Sequence, residues 1–188
     1  MDQLKLYFKN TFGISESDWA AFSSKLIYRE FPKKTHLLVK GKVENHLSFI
    51  SEGIIRLYIP NPDNDLTFGF AFKGNFVSAY DSFLTQAPCI YSMEAITETK
   101  LWRISYQDLE AVYKSTEIGN FIGRKAAEEQ FLKKSQREIA LLNDTAEQRY
   151  LKLFTERPEL IQKIPLKYIA SYIGITPQAL SRIRKRIS

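Results

Sequence analysis

Apolar and polar positions change rhythm twice along this chain. Residues 15–25 predict a short helix, opened by Ser15 with Asp18 three residues on, a capping-box signal. From about residue 26 to 104, short runs rich in β-branched and aromatic residues alternate with turn signals. Leu66, Phe68, Phe70 and Phe72 alternate with Thr67, Gly69 and Ala71, which predicts a strand with one heavily apolar face. Residues 54–59 predict another strand, ended by the loop Pro60-Asn61-Pro62-Asp63-Asn64. Gly41, Gly53 and Gly74 punctuate further strands, and residues 91–96 and 99–104 predict a hairpin across Thr97-Glu98. Seven or eight short strands in about 80 residues predict an antiparallel barrel or jelly roll.

The second change comes at Ser105, where Ser-Tyr-Gln-Asp again opens a helix, to about Lys114. Residues 117–142 then predict one long helix, roughly 39 Å at 1.5 Å per residue. Its apolar positions include Ile118, Phe121, Ile122, Phe131, Leu132, Ile139 and Leu142. So long a helix outruns what a small barrel covers, which points to pairing with a second copy, with Phe121 and Phe131 as candidate contacts. Gly119 and Gly123 read as close-packing points on it; with three residues between them and no strand before them, they do not make a P-loop. Thr145 with Gln148 starts a further helix to about Glu156, ahead of Pro158.

Residues 166–185 carry the most specific pattern, two helices around a tight turn. Ile169 and Ile173 lie four apart on one face, and Ala170 is small where a second helix crosses. Gly174 falls where a left-handed residue is wanted, with Ile175 between the helices. Thr176 caps the second helix and Pro177 takes its first position. Leu180 and Ile183 then face inward, leaving Gln178, Ser181, Arg182 and Lys185 outside. This is a helix-turn-helix with its second helix as reader.

Charge sharpens that picture. The net charge of +6 lies wholly in residues 145–188, which hold nine Lys/Arg and three Asp/Glu. A basic terminal module on a neutral body points to a polyanion partner. No apolar run exceeds four residues, so no membrane span is expected, and Met-Asp-Gln-Leu-Lys lacks the layout of a secretory leader. With Cys89 as the single cysteine, no internal disulfide can form and a cytoplasmic setting is expected. His36, His46 and Cys89 match no common metal spacing, and no Ser/His/Asp set has supporting context, so neither metal, cofactor nor enzyme activity is expected.

Residues 165–186 resemble the C-terminal helix-turn-helix of Crp/Fnr-type transcription regulators, most closely the short Bacteroidetes-type members. The glycine-punctuated strands, with Gly74-Asn75-Phe76, resemble that family's cyclic-nucleotide-binding-like β-roll, and the long helix its dimerisation helix. The resemblance implies an α+β protein: an antiparallel jelly-roll β-roll with flanking helices (1–116), a dimerisation helix (117–144) and a helix-turn-helix DNA-binding domain (145–188). It implies a bacterial homodimer that binds double-stranded DNA and acts with RNA polymerase. Gln178, Ser181 and Arg182 are then base-reading candidates, and Lys167, Thr176, Arg184, Lys185 and Arg186 phosphate-contact candidates.

One departure from the family is specific. Counted without gaps from Gly74, the Gly-Glu pair that holds a cyclic nucleotide's ribose falls on Ser78-Ala79. The Arg-Ser pair that holds its phosphate falls on Cys89-Ile90, and no Arg lies between Arg56 and Arg103. A degenerate site without cyclic-AMP response is therefore expected. Ser78, Tyr80, Ser82 and Tyr91 are candidates to line a neutral pocket for an unidentified small-molecule effector. The alternatives are a cupin-like β-barrel enzyme and an interaction scaffold that binds no DNA.

Overall fold

The computed structural model describes residues 1–116 and 118–187. They form two compact units: Met1–Tyr58 with Phe70–Ala127, and Ile59–Gly69 with the chain from Glu128 onward. Glu117, the expected start of the long helix, and Ser188 lie outside the described residues.

The chain opens with α1 (Asp2–Phe12), to which the sequence pattern assigned no element, and α2 (Glu16–Ser23). Ser15 Oγ accepts the Asp18 N–H at 3.1 Å, as its position predicts. Eight strands follow among the described residues: β1 (Ile27–Phe31), β2 (His36–Leu38), β3 (His46–Glu52), β4 (Ile54–Ile59), β5 (Leu66–Phe72), β6 (Phe76–Val77), β7 (Ser92–Ala95) and β8 (Thr99–Ser105). A short helix, α3 (Tyr80–Thr85), interrupts them between β6 and β7. They make two four-stranded sheets, β1-β8-β3-β6 and β2-β7-β4-β5, the antiparallel jelly-roll architecture expected.

Two expectations fail here, each for a local reason. Residues 91–96 and 99–104 do not form a hairpin: β7 pairs with β2 and β4, whereas β8 pairs with β1 and β3. Thr97 and Glu98 instead carry the chain between sheets, and β4 fixes the crossing. Ile96 N–H donates to Ile54 O at 3.0 Å and Ile54 N–H to Thr97 Oγ1 at 2.9 Å. The crossing is tight, because a Cβ on Gly53, at φ 102°, would lie 2.7 Å from Thr99 Cα. The second failure is in β5. Leu66 is exposed and Thr67 buried, and Phe70, Ala71 and Phe72 are all buried, so the strand has no single apolar face.

The core of the first unit gathers Leu4 and Phe8 of α1, Trp19 and Phe22 of α2, Phe49 of β3, Phe83 of α3 and Ile104 of β8. Leu109 and Val112 of α4 (Tyr106–Ser115) complete it. α1 is thus part of the core rather than an appendage. Beyond α4, the long helix α5 spans Gly119–Asn143. A Cβ at Gly119 would collide with Thr116 Oγ1 and one at Gly123 with the Tyr113 ring, so both glycines are close-packing points. Much of the rest of α5 is uncovered, with Phe131, Leu132, Ile139 and Leu142 all more than half exposed.

In the second unit, α6 (Ala146–Glu156) opens on a full capping box of Thr145 and Gln148. The chain does not simply end that helix at Pro158; it restarts there as α7 (Pro158–Lys163), proline occupying the first turn, where its missing N–H costs nothing. α8 (Leu166–Tyr172) and α9 (Pro177–Ile187) follow.

Candidate nucleic-acid interface

The α8–α9 pair forms as its residue types dictate. Ile169, Ala170, Ile173, Leu180 and Ile183 are buried together. Gly174 turns the chain at φ 81°, in the left-handed region that disfavours any side chain. Thr176 Oγ1 accepts the Ala179 N–H at 3.2 Å, which caps α9 and leaves the hydroxyl proton free to donate outward. With its apolar face committed inward, α9 presents Gln178, Ser181, Arg182, Arg184, Lys185 and Arg186 to solvent, and Lys167 and Thr176 are exposed beside them. The helix contains no acid.

Three side chains outside the expected set position this pair. Arg137 of α5 donates to Tyr172 O at 2.8 Å and lies over the Tyr172 ring at 3.9 Å. Arg149 of α6 donates to Ile173 O at 2.9 Å and to Asp144 O. Two cations therefore neutralise the carbonyl end of α8, where a helix dipole favours positive charge. Ser171, on α8, bonds to the backbone of Asp65 and Thr67. None of these was legible in sequence, because a basic residue on a polar helix face reads as solvated until its partner is known.

The interface's cations differ in engagement. Arg186 Nη2 lies 2.6 Å from Glu147 Oε2, and Lys167 Nζ lies 4.8 Å from the Tyr168 ring centre. Arg182 and Lys185 enter no ion pair among the described residues and border an open groove floored by Ile175, Ala179 and Ile183.

The comparisons with known proteins agree with this architecture. Residues 28–116 match the cyclic nucleotide-binding domain family. No curated protein matches the chain by sequence. The c-di-GMP-responsive global regulator CLP of Xanthomonas campestris superposes with a TM-score of 0.70 at 16% identity, over 92% of this chain and 91% of that one. The catabolite activator protein of Thermus thermophilus superposes with a TM-score of 0.58 at 17% identity, over 94% and 84%. A chain from Eubacterium rectale assigned to the Crp/Fnr family of transcriptional regulators gives 0.71 at 17% identity, over 96% and 87%. The fold is that of the Crp/Fnr regulators.

The segment after Gly74 carries the positions on which the sequence comparison places the cyclic-nucleotide anchors. In that segment Ala79 is fully buried, Cys89 is buried and Ile90 is exposed. The pocket-lining candidates have internal partners. Ser78 Oγ donates to His46 O at 3.0 Å. Ser82 Oγ donates to Ala87 O at 2.5 Å and accepts the Glu44 N–H at 3.1 Å. Burial first, then the hydrogen bond that the Tyr91 hydroxyl donates to Asp81, pushes the phenol well above its ordinary range. Tyr80 is half-buried and stacks on Phe83.

The two arginines that flank this segment in sequence are buried in ion pairs. Arg56 Nη1 lies 3.6 Å from Glu94 Oε2, with its guanidinium over Tyr58. Arg103 Nη2 lies 3.4 Å from Glu44 Oε1 and its Nε donates to Ser48 Oγ at 3.1 Å. Burial pushes the Glu44 carboxyl upward against the pull of Arg103. Among the described residues, no group of three or more His, Cys, Asp and Glu side chains is placed to hold a metal, and no helix is long and apolar enough to cross a membrane.

Proposed function

We propose that this chain is a homodimeric, sequence-specific regulator of transcription that binds double-stranded DNA through α9. The observation that carries the reading is the two-sidedness of that helix: Leu180 and Ile183 are buried, and every polar and basic side chain from Gln178 to Arg186 faces solvent. A helix of this kind fits the major groove, which admits one helix and displays a distinct donor and acceptor pattern for each base pair.

In that placement Gln178 pairs with adenine, Arg182 reaches the two acceptors of guanine, and Ser181 bonds to either. Lys167, Thr176, Arg184, Lys185 and Arg186 contact phosphates and set the register. The domain of residues 145–188 thus reads DNA, residues 117–144 pair two copies, and residues 1–116 sense. Pairing through α5 repeats the reader with two-fold symmetry, which calls for a pseudo-palindromic site with half-sites about 34 Å apart. Regulation then operates through contact with RNA polymerase, as the Crp/Fnr-type fold supports.

The sensory domain does not take a cyclic nucleotide in this reading. The ribose and phosphate anchors are replaced by Ala79 and by Cys89 and Ile90, and Arg56 and Arg103 are held in internal ion pairs. Ser78, Tyr80, Ser82 and Tyr91 border the place where another effector would enter. Selection of bound duplexes from a random-sequence pool tests the function as a whole. An inverted repeat emerging from the pool is the expected result, and a pool that stays random contradicts it.

A further inference from the structure

One ion pair inside the candidate interface has no role in the fold described so far. Arg186 in the last turn of α9 meets Glu147 in the first turn of α6, Nη2 to Oε2 at 2.6 Å. Their side chains are 66% and 38% exposed, so the pair is screened by water and exchanges readily. The capping box that opens α6 is made by Thr145 and Gln148, without Glu147. α9 has no acid of its own, and this carboxylate reaches it from a different helix.

A carboxylate and a phosphate offer a guanidinium the same feature, two oxygens sharing a negative charge. Arg186 lines the same groove as Arg182 and Lys185, over the apolar floor of Ile175, Ala179 and Ile183. Glu147 thus holds one of three neighbouring cations in a geometry a DNA phosphate would use. We propose that Glu147 is an internal competitor for the phosphate at Arg186, so that duplex DNA must displace it and affinity is held down. The proposal rests on the reading of α9 as a DNA-binding helix. It adds a residue that moderates that binding without touching DNA.

The test is fluorescence anisotropy of a mixed-sequence duplex of about three helical turns, titrated with the full chain over a range of salt. Glu147→Gln should tighten binding about two- to five-fold per subunit, the range expected for releasing an exposed ion pair. The salt dependence should change little, because Arg186 engages the same phosphate in both proteins once Glu147 is displaced. In an Arg186→Gln background the same substitution should change affinity little. Unchanged or weaker binding by Glu147→Gln overturns the proposal. So does tightening of equal size in the Arg186→Gln background, which would mean general repulsion rather than competition. If the unsubstituted chain binds no duplex, the reading of α9 fails first and this proposal falls with it.

Discussion

Ser171 on α8 grips the backbone of Thr67 across 104 residues of sequence: its hydroxyl accepts the Thr67 N–H at 2.8 Å and donates to Asp65 O at 2.7 Å. One side chain thus bonds an acceptor just before β5 and a donor within it, and Thr67 is 1% exposed. Ser171→Ala removes both bonds, at a cost of about 0.5–1.5 kcal/mol each. Denaturant unfolding should show the loss, with faster hydrogen exchange at the Thr67 amide. Unchanged stability and exchange would mean that the contact does not form in solution.

His46 gives the first unit a specific acid sensitivity. Burial first, then Arg103 and Arg29, hold its imidazole down from 6.5 to about 4. The unfolded chain takes up the proton near 6.5 while the folded chain resists to about 4. The stability this group contributes is therefore whole above 6.5 and is lost as pH falls through 4. Glu44 runs the opposite way, since its raised carboxyl favours the folded state at low pH and disfavours it as pH rises. Comparing unfolding of His46→Gln and the unsubstituted chain from pH 7 to 4 isolates the histidine. The substituted chain should lose about 2–3 kcal/mol less over that window; parallel curves would refute the assignment.

Cyclic AMP and cyclic GMP should not bind. An anchored cyclic nucleotide needs a cation for the phosphate and an acceptor for the ribose hydroxyl, and Cys89, Ile90 and Ala79 supply neither. Losing both anchors costs about 3–6 kcal/mol, or roughly 10² to 10⁴ in affinity. Calorimetry should show no saturation by either nucleotide, and a dissociation constant below about 50 μM would contradict the account.

The uncovered apolar positions of α5 predict self-association. Phe131 is 71% exposed and Leu142 83%, large apolar surfaces that a second copy of the helix would bury. Sedimentation at micromolar concentration should give a dimer, and Phe131→Glu should shift it to monomer. A monomer for the unsubstituted chain would remove α5 as the pairing element.

The legible parts of this protein were those whose signal is local. Ser15, Ser105 and Thr145 cap helices where their spacing places them, and Gly174, Thr176 and Pro177 build the turn into α9. What escaped depends on partners distant in sequence. α1 has Leu4 and Phe8 four apart on one face, but its N-cap Met1 offers no side-chain cap, and among polar neighbours the face was not recognised. Thr97-Glu98 looks like a hairpin turn and instead crosses between sheets, because the strands on either side pair with β4 and β3 rather than each other. Arg186 reads as one more basic residue until Glu147, 39 positions earlier, is seen beside it.

The most direct test of the central claim, that α9 binds duplex DNA, is duplex affinity as a function of salt for the full chain and for Arg182→Ala and Lys185→Ala. Binding should weaken steeply with salt, and Lys185→Ala should flatten the slope by about 0.9 for each phosphate left without its cation, on every sequence alike. Arg182→Ala should cost about 1–3 kcal/mol per half-site on a selected site and less on random duplex. Affinity that is insensitive to salt and to both substitutions would contradict the account.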